Sequence, residues 1–178
     1  MALFDVEVAR DKSLHRFERA IRAGCDGRKA ESAWWVDHVS ITNIATIVEW
    51  CNGKGIKIQF EKCNNAVFDK DTMTISIASS IRPLRQVFYL LHECGHYMIS
   101  NTAGKDDRFK MGYRLGEGFT SELSFSHKLA CVEEEFEAWH RGWRLSQRLK
   151  MNLDRKQFDA VRRSCLKTYL VWVTKYGK

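Results

Sequence analysis

The sequence predicts an α+β fold in which helices predominate, and three observations lead there. A short stretch between Gly55 and Ile77 alternates apolar and polar residues with period two, the pattern of half-buried strands. Apolar residues on both sides of it recur at helical spacing. The 178 residues are 44% hydrophobic and 12% aromatic, enough to build one core. The expected organisation is a single domain over 1–178, with an N-terminal helical extension to about residue 38 and a C-terminal helix over about 152–176.

Leu14, Phe17 and Ile21 lie at helical spacing among basic residues, and Gly24 to Gly27 ends that segment. A second helix is predicted from Ser40 or Thr42, as N-cap, to about Cys51, with Ile44, Ile47 and Val48 on its apolar face and Asn52-Gly53 closing it. Ile56, Ile58 and Phe60 then alternate with Lys57, Gln59 and Glu61, Ala66 to Asp69 forms a second strand, and Met73, Ile75 and Ile77 mark a third. The last two flank an Asp69-Lys70-Asp71 turn, and the expected sheet is small and mostly antiparallel.

Ser79 and Ser80 are N-cap candidates for a long helix reaching Ser100. The lone proline, Pro83, is tolerated in its first turn because the N–H it lacks would be unpaired there. Leu84, Val87, Phe88, Leu91 and Met98 give this helix a broad apolar stripe, as in a central helix covered by other elements. Asn101 to Ser126 lacks sustained periodicity and is expected to be a long loop. Helical spacing returns from about Lys128 to Lys150, with Leu129, Val132, Phe136, Trp139, Trp143 and Leu145 as candidate core positions. A last helix starts near Asn152 or Asp154 and uses Phe158, Val161, Cys165, Tyr169 and Trp172.

Lys and Arg number 29 against 22 Asp and Glu, a formal charge of +7 that permits nucleic acid as a partner without favouring it. The cations Arg141, Arg144, Arg148 and Lys150, and Arg155, Lys156, Arg162 and Arg163, are strung along helices as on a solvated face. The six cysteines form no CxxC pair, which argues against a zinc ribbon or a redox pair and for reduced, mostly buried thiols. Asp5 and Glu7 interrupt the first ten residues, and no apolar run reaches membrane-spanning length, so the expectation is a cytoplasmic protein with no membrane partner.

Chemistry concentrates in His92-Glu93-Cys94-Gly95-His96, an HExxH motif inside the long helix. Residues four apart share a helix face, so both imidazoles can aim at one ion, Zn2+ by preference, with Glu93 able to take a proton from a water activated there. Cys94 points elsewhere. Gly95 lets another backbone or a substrate come close. A third ligand is required, and Glu133, Glu134, Glu135 and Glu137 on the next helix are on offer, although such a run is also an ordinary solvated acidic face. An electrophile for the oxyanion would come from His140 or Tyr113, with Tyr97, His127 and Arg141 behind them.

Glu135-Phe136-Glu137-Ala138 matches the Glu-x-x-Ala segment that carries the third ligand in gluzincin-type peptidases. Together with the strands over 55–77 and Leu91 to His96, it resembles the ImmA/IrrE group of zinc metallopeptidases over roughly the central half of the chain. That resemblance implies a zincin-like fold, a small sheet packed against the HExxH helix, with zinc on His92, His96 and Glu135 (Glu134 the second choice) and Glu93 as general base. It implies cleavage of a protein or peptide substrate, in that group often a DNA-binding regulator. The chain departs from the group at Trp139, where Asn or Asp is usual, and in the longer segment between His96 and Glu135, which suggests an inserted lid or substrate-binding piece. Two other readings share the motif. One is a zincin-like binding or structural protein that cleaves nothing; the other is a DNA-associated, SprT-like protease.

Overall fold

A computed structural model describes residues 6–62, 66–102 and 124–175. Among them are five helices and a three-stranded mixed sheet, an α+β architecture. The chain divides into two compact units, Met1–Leu90 and Leu91–Lys178.

The first unit opens with α1 (Val6–Arg22) packed on α2 (Gly27–Asn52), through a Phe17–Trp34 ring contact at 6.1 Å and an Arg16–Asp37 ion pair at 3.4 Å. Leu14 and Ile21, expected on the covered face of α1, are exposed, and Phe17 is half-buried. Helix α2 starts well before Ser40. Asp26 caps it by accepting from the Arg28 N–H at 3.0 Å, while Ser40 and Thr42 lie inside it and donate back to the carbonyls of Val36 (2.6 Å) and His38 (3.2 Å). A hydroxyl that can cap a helix can equally bond to the preceding turn, which is why residue type alone misplaced this start. Ile41, Ile44, Ile47 and Cys51 form its buried face, and α2 contacts the first strand.

The strands are β1 (Lys57–Glu61), β2 (Val67–Asp69) and β3 (Thr74–Ala78), in the order β1-β3-β2. β2 and β3 form the expected antiparallel pair, but β1 runs parallel to β3, with Ile58 opposite Ile75 and Phe60 opposite Ile77. The sheet is therefore mixed rather than mostly antiparallel. Burial accounts for the central place of β3: Ile75 and Ile77 are fully buried and Thr74 and Ala78 nearly so, and a strand covered on both faces belongs between two others. Helix α3 (Pro83–Ser100) begins with Pro83 in its first turn as expected, but after Arg82 rather than Ser79 or Ser80; Gln86 Nε2 ties that turn to the Ala78 carbonyl at 3.0 Å.

In the second unit α3 continues to Ser100, followed by α4 (Phe125–Arg148), capped by Ser124, and α5 (Arg155–Lys175). Residues 103–123, most of the expected loop, lie outside the described residues. α4 buries Lys128, Cys131, Val132, Glu135, Ala138, Trp139, Gly142 and Leu145, whereas Leu129 and Phe136, expected in the core, are each 44% exposed. α5 packs Trp172 and Val173 on Cys131 and Val132, and sets Phe158 against Trp139 (5.4 Å) and Trp143 (5.1 Å). Some of the surface cations of this unit are engaged. Arg155 pairs with Asp159 at 2.7 Å and covers the Trp143 ring, and Arg162 reaches Asp159 at 3.4 Å. Among the described cysteines Cys51, Cys94 and Cys131 are buried as expected, whereas Cys165 is half-buried and Cys25 exposed. Among the described residues no helix is long and apolar enough to cross a membrane.

α4 ends with exposed Lys150 at φ 53°, while the Met151 N–H bonds the Ser146 carbonyl at 3.0 Å. This left-handed closing position normally takes glycine, because a Cβ there costs about 1–2 kcal/mol. Lys150→Gly should therefore raise the stability of the protein by about 1 kcal/mol, measured as a higher midpoint of denaturant unfolding; an unchanged or lower midpoint would contradict this account of the helix end.

Candidate metal centre

One turn of α3 separates His92 from His96, and both rings lean toward a common point, with the two Nε2 atoms 3.2 Å apart. From α4 the Glu135 carboxylate meets them. Its Oε2 lies 3.2 Å from His92 Nε2, and its Oε1 lies 3.3 Å from His96 Nε2. Glu135 is 2% exposed and His92 8% exposed, and the three residues could together hold a metal ion. The chemistry of the donors fits such an ion. Four-coordinate zinc with donors at about 2.0–2.1 Å would set neighbouring donors about 3.3 Å apart, the spacing observed. Among the described residues Glu135 Oε2 is buried without an aligned hydrogen bond despite its proximity to His92. A buried carboxylate oxygen in that condition calls for a cation.

Two glycines bring α4 close enough. A Cβ on Gly95 would collide with the backbone of Ala138, and one on Gly142 with the backbone of Leu91 and His92. The two contacts lie four residues apart in each helix and in opposite order, so α3 and α4 run antiparallel along a seam where their backbones touch. Ala138 in the Glu-x-x-Ala segment and Gly95 in the HExxH motif are thus each other's contact, and the seam carries Glu135 to the histidines. Gly95→Ala and Gly142→Ala should each destabilise the protein by about 2 kcal/mol or more, because a backbone atom cannot yield as a side chain can. Each should also lower metal retention. Thermal unfolding and metal content measured together check both effects, and a Gly95→Ala protein of wild-type stability would contradict the seam.

Outside the triad, the rings are held in different ways. His96 Nδ1 is 3.3 Å from Glu134 Oε1, so the second-choice ligand meets the opposite edge of the ring from Glu135. His92 Nδ1 is buried without a hydrogen-bond partner among the described residues, and the His92 ring instead stacks on Trp139, with centroids 4.3 Å apart and planes 19° apart. Trp139, the departure from the resembled pattern, is fully buried as a wall of the site. Glu93 is 5% exposed, with Oε1 4.0 Å from His92 Nε2, close enough to act on a molecule bound between the rings.

Burial alone would lower the pKa of the His96 imidazole. The charge of Glu135 more than reverses that, aided by the hydrogen bonds with Glu134 and Glu135 and by the charge of Glu93, and holds His96 well above its ordinary value. Burial would likewise raise Glu135, but the charge of His96 and the close approach of both imidazoles to its oxygens hold its carboxyl well below the usual carboxylate range. In the metal-free protein the pair therefore stabilises the fold fully between the ordinary values of 4.5 and 6.5. Its contribution is lost as pH rises through the raised His96 value and as it falls through the lowered Glu135 value. The stability difference between metal-free wild type and Glu135→Gln, measured across pH, should be largest in that interval; a difference growing steadily above pH 8 would contradict the assignment.

The remaining candidates fall elsewhere. Tyr113 lies outside the described residues. His140 is exposed, about 140° around α4 from Glu135, and so does not share the face of Glu135. Arg141 binds the end of α3, donating to the Met98 carbonyl and Thr102 Oγ1 at 2.8 Å each, and pairs with Glu137 at 2.7 Å. The Tyr97 hydroxyl accepts from Asn101 at 2.8 Å, and His127 stands half-buried in the first turn of α4. Sequence reasoning missed the tasks of Glu134 and Trp139; its one signal for them was their adjacency to Glu135 and Ala138. Compared with family models, curated proteins and solved structures, the chain has no significant match.

Proposed function

We propose that the protein is a zinc-dependent metalloendopeptidase of zincin-like fold that hydrolyses peptide bonds of a protein substrate. The observation that carries this reading is the convergence of His92 Nε2, His96 Nε2 and the Glu135 carboxylate, with separations of 3.2–3.3 Å, beside the buried carboxylate of Glu93. Two imidazoles and one carboxylate suit zinc and leave one position of a tetrahedral shell open. When bound, zinc supplies Lewis acidity, which acidifies water and polarises a peptide carbonyl.

The chain's own groups do the rest. His92, His96 and Glu135 would hold the ion from two helices whose spacing is fixed by backbone contact. Glu93 takes the proton from the attacking water as the new C–O bond forms, and delivers it to the amide nitrogen as the C–N bond breaks, leaving a carboxylic acid and an amine, between which the acid proton then passes to give a carboxylate and an ammonium group. Its low exposure keeps that proton from bulk solvent. The resemblance to the ImmA/IrrE group supports a protein substrate, with a DNA-binding regulator as the first candidate. Engagement of Arg141, Arg155 and Arg162 in pairs with their own carboxylates weighs against a nucleic-acid surface and so against the SprT-like reading.

Purified wild type should contain about one zinc per chain and cleave a protein substrate. Glu93→Gln should keep the zinc and lose activity by about 10²-fold or more, whereas Glu135→Ala should lose most of the metal. Full zinc occupancy in Glu135→Ala would remove the third ligand from the reading. Zinc retained in a wild type that cleaves nothing across a broad peptide library would favour a binding protein over a peptidase.

A further inference from the structure

The neighbour of the third ligand has a task of its own. A histidine can present Nε2 to a cation only if its proton sits on Nδ1, and it keeps that tautomer and ring orientation best when an acceptor holds the Nδ1–H. Glu134 Oε1, 3.3 Å from His96 Nδ1, stands where that acceptor is needed. Consecutive residues of a helix point about 100° apart, so α4 sends Glu135 to the Nε2 side of the rings and Glu134 around the flank of His96 to its Nδ1 side. The side chain of Glu134 is 13% exposed, so solvent weakens its charge little. Among the described residues His92 has no equivalent: its Nδ1 is buried without a hydrogen bond, and it rests on the face of Trp139.

We propose that Glu134 is a positioning residue which, through the Nδ1–H of His96, fixes the tautomer and orientation of that ligand and thereby sets how tightly the centre retains zinc. The proposal rests on the reading of His92, His96 and Glu135 as a zinc centre. A charged acceptor also makes the imidazole a stronger donor to the metal, and loss of such a partner typically weakens binding by about 10- to 100-fold. Glutamine at this position keeps an oxygen that can accept the Nδ1–H but removes the charge, so it separates geometry from electrostatics.

The test is zinc affinity by chelator competition, and zinc release into excess EDTA, for wild type, Glu134→Gln, Glu134→Ala and the exposed neighbour Glu133→Ala. Nitrogen-15 spectra of the His96 imidazole provide a readout that a purely structural role would not move. Glu134→Ala should still bind one zinc at saturation, but about 10- to 100-fold more weakly, with faster release and a His96 signal no longer held as the Nδ1–H tautomer. Glu134→Gln should fall between it and wild type, and Glu133→Ala should match wild type. Wild-type affinity in Glu134→Ala would overturn the proposal, and so would complete loss of zinc at saturation from both Glu134 variants, which would make Glu134 a ligand. If wild type binds no zinc, the reading beneath the proposal fails and takes the proposal with it. Since glutamine is isosteric, the Gln variant decides the matter if the Ala variant does not fold.

Discussion

The contact of backbone on backbone between α3 and α4 is the constraint from which the rest of the site follows. Helices that meet through ordinary side chains keep their axes about 8–10 Å apart, and at that distance the short reach of a glutamate would have to bridge the layer of side chains between them. Gly95 and Gly142 remove that layer at two points, one turn apart on each helix, and the seam fixes rotation as well as distance. With Ala138 locked on Gly95, Glu135 lies one turn back along α4 and turns toward the two imidazoles. The glycine in HExxH and the alanine in Glu-x-x-Ala are then two halves of one packing requirement. Neither touches a metal.

That closeness has an electrostatic consequence. Glu93, Glu134 and Glu135 gather around two imidazoles in a region with little solvent, where separating unlike charges is expensive and leaving like charges together is more so. Carboxylates outnumber the imidazoles even when both rings are protonated. The raised His96 and lowered Glu135 register this imbalance, with the negative surroundings holding a proton on the imidazole. A divalent cation would answer the same field with more charge and better directionality. Binding it would release that proton, so metal uptake and protonation compete for one site.

Much of this was legible in the sequence, and what was not failed for physical reasons. The HExxH spacing, the single proline at the start of α3 and the alternation at Ile56 to Phe60 and Met73 to Ile77 each report on one element, and each placed its element well. The central place of β3, with β1 alongside it, depends on which strand is covered on both faces, a property of the assembled sheet. On α4, apolar periodicity pointed to Leu129 and Phe136, which are exposed, because Lys128, Glu135 and Gly142 stand on the face that is in fact buried. A functional helix places polar and small residues where a structural one would place leucine, so its inward face looks like its outward one. The Glu-x-x-Ala resemblance pointed to Glu135, where hydrophobicity could not.

Trp139 shows how a departure from an expected pattern can still serve the same end. An Asn or Asp at that position would hold a neighbouring group by hydrogen bonding. Trp139 holds His92 by area, stacking along the ring at 4.3 Å and 19°, and itself meets Phe158 in an edge-to-face contact. Stacking restricts the tilt of an imidazole but is nearly indifferent to which nitrogen carries the proton, whereas a carboxylate at Nδ1 decides that question. The two histidines are therefore not equivalent: His96 is fixed in protonation and direction by Glu134, and His92 in plane only. Since Phe158 belongs to α5, the plane of His92 also depends on how the last helix packs against α4, and a helix that contributes none of the three converging residues becomes part of what shapes their site.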